Sequence, residues 1–131
     1  MNDTNSGRVE ARVYTAGEAI PIEGATVVVT QRSPEGKVAL LGLRTSDRNG
    51  WTEPVFVRTP QADQSQSPNM GFGFSSVDVT VDHPGYQRII VENVQVFPGV
   101  TSLQDFPLIP LEEYPTQWGQ TEVFEVTPQG L

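Results

Sequence analysis

The sequence has no cysteine, a single histidine and a single lysine among its 131 residues. Without cysteine the chain forms neither disulfides nor thiolate metal sites. The opening residues, MNDTNSGRVE, contain no apolar core of the kind that a secretory signal needs, and no apolar run is long enough to span a membrane. We therefore expect synthesis in the cytoplasm and no membrane insertion.

Basic residues are scarce in the later part of the chain. Residues 1–60 contain seven basic and seven acidic residues, whereas from Gln61 onward only Arg88 opposes nine carboxylates. The net charge of −8 therefore lies in that later part. A polyanion would be repelled there and would find no basic stripe elsewhere, so we expect no binding of nucleic acid.

Catalytic groups are also scarce. His83 directly precedes Pro84, which is typical of an extended or turn residue. A hydrolytic triad needs a nucleophile and an acid around the histidine, and the sequence has no G-x-S-x-G motif. Asp78 and Asp82 lie four apart on a predicted strand, roughly 13 Å from each other, which is too far for glycoside hydrolysis. We predict that the chain is not an enzyme and has no cofactor or metal site.

Proline, glycine and period-two alternation are plentiful. The 11 prolines and 12 glycines interrupt the chain too often for long helices. Apolar and polar residues alternate in RVEARVYT (8–15), ATVVVTQR (25–32) and VDVTVD (77–82), a pattern typical of half-buried strands. KVALLGLRT and WTEPVFVRT follow as strands three and four, and we predict that strands two to four form a meander. The core candidates of strand four are Trp51, Val55 and Val57.

This pattern predicts an all-β fold, a single β-sandwich of about seven antiparallel strands over residues 8–111. Prolines 98, 107 and 110 favour an edge position for the last strand. Residues 1–7 are predicted to form a flexible N-terminus. Residues 112–131 are predicted to form a C-terminal tail that is an added or exchanged strand.

The stretch SDRNGW (46–51) has two interpretations, a calcium loop or a hairpin turn. A calcium loop of the EF-hand kind needs a bidentate acid at its twelfth position, and Arg58 stands there. Asp47 and Asn49 tolerate the left-handed conformation and Gly50 accepts a positive φ, so the turn is favoured.

Two segments offer apolar groups outside the strand pattern. The loop 60–76 places aromatic residues among glycines, and the tail contains the alternating run TEVFEV (121–126). Both either pack back on the sandwich or serve as interface anchors, and the run can pair with an open sheet edge in the same chain or in a neighbour. The candidate interaction residues are Met70, Phe72, Phe74, Tyr114, Trp118, Val123 and Phe124.

Several motifs resemble the carboxypeptidase regulatory-like domain, a transthyretin-like (prealbumin-like) Greek-key sandwich. They are PIEGATVVV (21–29), TSDRNG (45–50) and HPGY (83–86). The segment IIVENVQVFPGVTSLQDFPLIPL (89–111) is similar to a version of this domain found in endospore-forming bacteria, alone or at the front of proteins similar to spore cortex-lytic enzymes. Enzymes of the transthyretin-like group use more than one histidine, which this chain lacks.

The resemblance implies a non-catalytic structural or interaction module in a bacterial envelope, a spore-associated structure or a particle-type assembly. The expected partner is a protein, or a second copy of the chain, bound through the C-terminal tail or a sheet edge. The alternative is a carbohydrate or peptidoglycan binding module, which needs aromatic residues on one flat face; Tyr14, Tyr86 and Trp118 are the candidates.

Overall fold

A computed structural model describes residues 5–60 and 73–111 of the chain. These residues form seven strands and no helix that is long and apolar enough to cross a membrane. The strands are β1 (Ser6–Thr15), β2 (Thr26–Arg32), β3 (Val38–Thr45), β4 (Val55–Arg58), β5 (Ser75–Asp82), β6 (Ile89–Val96) and β7 (Thr101–Leu108).

The strands build two sheets that pack face to face. One sheet has the order β4-β1-β7 and the other β3-β2-β5-β6. This confirms the predicted all-β sandwich of about seven strands. All pairs are antiparallel except β1 and β7, which run parallel with Arg8 opposite Thr101 and Thr15 opposite Leu108. β7 lies at the edge of its sheet, as its proline predicts.

The core consists of the inward-facing residues of both sheets. β1, β2 and β5 alternate buried and part-exposed residues along most of their length, which is the period-two pattern seen in the sequence. Phe106 and Leu108 of β7 are the largest fully buried side chains. The next largest fully buried side chains are valines: Val9, Val13, Val27, Val29, Val55, Val57, Val77, Val79, Val81 and Val96.

The predicted meander of strands two to four is wrong, because β4 pairs with β1 and not with β3. The turn before β4 redirects the chain. Asp47 Oδ1 accepts hydrogen bonds from the backbone N–H groups of Asn49 and Trp51, and Gly50 has φ +85°. Val13 N–H then donates to Gly50 O, which joins the chain to the other sheet. The SDRNGW stretch is thus a turn that connects the two sheets.

Trp51 is not a core residue, contrary to the sequence prediction. It is 36% exposed and forms an isolated bridge with Arg12 of β1. Cross-strand partners share a face, and Arg12 points outward, so the indole also lies on the outer face. Val55 and Val57 are buried as predicted.

β1 begins two residues before the predicted domain boundary. Ser6 and Gly7, assigned from sequence to the flexible N-terminus, pair with Arg58 and Val57 of β4. A Cβ on Gly7 would lie 2.7 Å from Val96 Cγ1, so the absence of a side chain permits this packing. The tail, residues 112–131, lies outside the described residues.

Candidate functional site

Four of the seven described strands lie at a sheet edge. β3 and β6 border the four-stranded sheet, and β4 and β7 border the three-stranded sheet. An edge strand presents backbone N–H and C=O groups that can pair with another chain, and proteins usually obstruct such edges. The four edges differ greatly in how far they are obstructed.

Three edges carry features that hinder further pairing. β4 has only four residues, and β7 contains Asp105 and Pro107. In β6 the register shifts between the partners of Val77 and Val79, and Asn93 there has φ +62°. Short length, proline, charge and bulges are the usual means of blocking an edge.

The β3 edge has fewer obstructions. Its eight residues include no proline, and none of the six from Val38 to Leu43 is charged. Val38 is 62% exposed, Leu40 63% and Leu43 53%. No other strand borders its outer side within the described part of the chain. An apolar, exposed edge of this length is of the kind to which an extended peptide chain can add as a further strand.

A bulge places two of these leucines on one face. Leu40 pairs with Thr30 and Gly42 with Val29, so Leu41 is an extra residue in β3. Without it, residues three apart would point to opposite faces. Leu41 instead packs against the core, and Leu40 and Leu43 both face outward.

β3 is held against the opposite sheet at Gly42. A Cβ on Gly42 would lie 2.7 Å from Val55 Cγ1 of β4. This close approach fixes the inner face of β3, while its outer edge stays accessible. β3 is therefore packed against β4 at Gly42 while its outer edge is unpaired within the described residues.

A row of three apolar residues and one threonine extends from the β3 edge across the outer face of its sheet. Leu43 pairs with Val28, Val28 with Thr80, and Thr80 with Ile90, which is 56% exposed. The row therefore crosses all four strands from one edge to the other. Apolar area at β3 continues onto the face beside it.

Cations lie at both ends of the apolar run in β3. Lys37 precedes it and Arg44 follows it. Arg44 donates to the carbonyl oxygens of Leu43 and Pro54 at 3.0 and 3.2 Å. Neither cation lies in an ion pair with a residue that the structure describes. The edge therefore favours an acidic partner strand.

A second surface cluster lies on the outer face of the three-stranded sheet. The guanidinium carbon of Arg12 lies 4.7 Å from the ring centroid of Tyr14 and 5.9 Å from that of Trp51. Its Nε is 3.5 Å from Asp105 Oδ1 of β7. Two aromatic rings and an ion pair thus share one flat face.

Of the residues predicted to mediate interactions, only Phe74 lies in the described ranges. It is half-buried, and its ring centroid lies 5.4 Å from that of Phe97. Met70, Phe72, Tyr114, Trp118, Val123 and Phe124 lie outside the described residues, so their role stays a prediction. Leu40 and Leu43 were not among the predicted candidates, although the unbroken apolar run VALLGL between Lys37 and Arg44 is visible in the sequence.

His83 lies in the β5–β6 turn, beside an open groove of about 710 Å³ lined also by Glu18, Ile20 and Tyr86. Its Nδ1 is 2.8 Å from Pro84 O and its Nε2 is 3.2 Å from Glu23 O. The Tyr86 ring packs edge-on against it at 5.5 Å. Both ring nitrogens lie near backbone carbonyl oxygens, and the tautomer decides which nitrogen donates a hydrogen bond.

The fold is shared with several solved structures. A mutant of the catechol 1,2-dioxygenase of Acinetobacter radioresistens superposes with a TM-score of 0.55 at 16% identity, covering 84% of this chain and 53% of that one. The 3-chlorocatechol 1,2-dioxygenase of Rhodococcus opacus gives 0.53 at 14%, covering 85% and 64%. The TIE protein of Bacillus anthracis gives 0.51 at 14%, covering 82% and 17%.

No family model and no curated protein matches the sequence. The chain spans less than two thirds of each solved structure described above. At these identities the likeness shows the β-sandwich fold alone.

The dioxygenases overturn the prediction that the chain is not an enzyme. That prediction relied on a single histidine, the absence of a G-x-S-x-G motif and the separation of Asp78 and Asp82, but the same sandwich forms part of solved structures named as dioxygenases. Membership of this fold is therefore compatible with catalysis. Within ranges 5–60 and 73–111 no three His, Asp or Glu residues gather as a metal site would require.

Proposed function

We propose that the chain is a structural module that assembles with further copies of itself through the β3 edge. The observation that supports this most strongly is the contrast among the four edges: β3 alone combines full strand length, absence of proline and exposed leucines in the described part of the chain. Strand addition there pairs backbone groups and covers Leu40 and Leu43.

The expected association is weak to moderate. Burying an exposed leucine side chain contributes about 1.5–3 kcal/mol, and the two leucines already have part of their area covered. Association costs at least about 4 kcal/mol in lost translational and rotational freedom. The leucines alone therefore do not suffice, and backbone pairing along β3 supplies the remainder. We expect an oligomer whose mass depends on concentration.

The setting of such an assembly follows from the resemblance of the sequence to carboxypeptidase regulatory-like domains and to their counterparts in endospore-forming bacteria. We propose a bacterial envelope, a spore-associated structure or a released particle. The acidic later part of the chain argues for a protein partner in that setting rather than for nucleic acid.

The test is the solution mass of the full chain by light scattering over a concentration series. The wild type is expected to exceed the 14.3 kDa of a monomer as concentration rises. The variant Leu40→Glu/Leu43→Glu should stay monomeric, because carboxylates on β3 oppose pairing. Leu103→Glu, at an equally exposed position on β7, is the matched control and should behave as wild type. A monomeric wild type at every concentration would contradict the proposal.

A second candidate function is carbohydrate or peptidoglycan binding. The cluster of Tyr14, Trp51 and Arg12 favours it, because aromatic rings on a flat sheet face can stack on sugar rings while Arg12 and Asp105 offer polar contacts. Tyr86 lies instead in the groove beside His83, so the aromatic set differs from the one predicted from sequence.

Retention on insoluble peptidoglycan tests this second candidate. Trp51→Ala should abolish retention if the cluster binds the glycan, whereas Phe56→Ala, which removes another exposed aromatic ring of the same sheet, should leave it unchanged. Equal retention of wild type and Trp51→Ala would exclude the cluster as the binding site.

A further inference from the structure

We propose that the strand that docks on β3 is the tail segment Thr121–Val126 of a second copy, so that each copy donates its tail to the next. This inference rests on the proposed function and adds the identity of the partner segment. It joins two different surfaces, an acceptor edge and a donor tail.

The direction in which the chain leaves the sandwich favours a neighbouring copy. Gln87 N–H donates to Ile109 O, and Leu111 N–H donates to Gly85 O, both at 2.8–2.9 Å. Residues 109–111 therefore run antiparallel to 85–87 and away from the body of β6. The chain passes Leu111 beside the β5–β6 turn, heading off the end of the sandwich.

β3 of the same copy lies at the opposite edge of the sheet. The strand order β3-β2-β5-β6 puts three strand spacings between the exit at β6 and the β3 edge. To reach its own β3, the tail would have to reverse direction and cross the sheet. Residues 112–120 span up to about 30 Å when extended, which is longer than three strand spacings, so the direction of the exit rather than the length of the tail favours a neighbouring copy.

Charge complementarity supports the pairing of tail and edge. Residues 112–131 contain four carboxylates, two of them within TEVFEV as Glu122 and Glu125, and no basic residue. The apolar run of β3 lies between Lys37 and Arg44, which have no ion-pair partner among the residues described. An acidic strand placed along β3 brings carboxylates near both cations.

The alternation of the tail also matches the two faces of β3. In an extended TEVFEV segment, Phe124 and Val126 share one face, and Val123 and Glu125 share the other. With Phe124 on the outer face, it continues the apolar surface formed by Leu40 and Leu43. Glu125 is then on the side of Arg44.

The interface is heterologous, because the tail of one copy docks on a different surface, the β3 edge, of the next copy. Such contacts propagate into rings or open filaments, whereas pairing of β3 with β3 would stop at a two-fold dimer. The two modes therefore predict different responses to variants in the tail.

The experiment uses two full-length variants with complementary defects. Phe124→Pro removes a backbone donor and the aromatic side chain from the tail but keeps β3 intact, and Gln117→Pro is the control with the same residue outside TEVFEV. Leu40→Glu/Leu43→Glu disables β3 but keeps the tail. Each variant is measured alone and as an equimolar mixture by light scattering and native mass spectrometry.

We expect Phe124→Pro and Leu40→Glu/Leu43→Glu each to be monomeric when measured alone, and Gln117→Pro to assemble as wild type. The equimolar mixture of the tail variant and the β3 variant should form a 1:1 pair with twice the 14.3 kDa mass of one chain. If Phe124→Pro still assembles while the β3 variant does not, the tail is not the docking strand, although assembly through β3 stands. If the β3 variant still assembles, or wild type does not, both proposals are wrong.

Discussion

β3 and β7 are edge strands of equal length in opposite sheets, yet they present very different edges. β7 contains Asp105, whose carboxylate pairs with Arg12, and Pro107, which has no N–H to donate. β3 has an uncharged run from Val38 to Leu43 and two leucines more than half exposed. One edge is closed to a further strand by its own residues, and the other is open.

The difference between β3 and β7 shows that composition and packing together decide whether an edge strand is open to a further strand. Gly42 lets β3 lie directly on Val55 of β4, and the bulge at Leu41 brings Leu40 and Leu43 to one side. These features hold the open edge in place. β7 is instead anchored by Phe106 and Leu108, both fully buried.

The largest expected effect comes from Gly42→Val, which forces a side chain into Val55. We expect a loss of about 1–3 kcal/mol in the free energy of unfolding, measured by urea denaturation. Val55→Ala in the same chain should restore part of this loss by making room. A Gly42→Val variant as stable as wild type would show that β3 does not rest on β4.

The next effect comes from opening the β7 edge. Asp105→Val/Pro107→Val gives β7 an uncharged, proline-free composition similar to that of β3. We expect self-association at roughly tenfold lower concentration than wild type, about 1.4 kcal/mol, by light scattering. Unchanged association would mean that these two residues do not close this edge.

A smaller effect on association is expected from a substitution on the outer face of the four-stranded sheet that leaves the β3 edge intact. Ile90→Ser lies at the far end of the row that begins at Leu43, so a strand docked on β3 does not cover it. We expect association within about threefold of wild type, since 0.6 kcal/mol is the scale of one minor contact. If Ile90→Ser weakened association as much as Leu43→Ser does, the interface would include the outer face of the sheet and not only the β3 edge.

The smallest effect is expected for Asp105→Asn. Its ion pair with Arg12 is 3.5 Å long, and the two side chains are 58% and 43% exposed. Solvent screens such a pair, so thermal unfolding should reveal a loss of at most about 0.5 kcal/mol. A loss above about 1 kcal/mol would indicate that the Arg12 cluster stabilises the three-stranded sheet.

Much of the fold could be predicted because the core is built from strands that alternate. β1, β2 and β5 each place valines on one face, and the sequence displays this directly. The edge position of β7 followed from its proline. The pairing of β4 with β1 could not be predicted, because both hairpin pairing and a crossover are compatible with the turn at Asp47 and Gly50.

The candidate site was harder to predict, for a physical reason. Residues Leu40 and Leu43 are three apart, so a regular strand would place one of them inside. Only the bulge at Leu41 turns both outward, and a bulge leaves no mark in the alternation of a short apolar run. Trp51 was misplaced because its face depends on the bridge to Arg12.

Hydrogen exchange of the full chain across a dilution series distinguishes an open β3 edge from a closed β7 edge, since it reports on both strands in one sample. If a strand docks on β3, those amides of Val38–Thr45 that do not bond to β2 are protected at high concentration and exchange faster on dilution, while the amides of β7 do not change. Concentration-dependent protection in β7, or none in β3, would contradict this account.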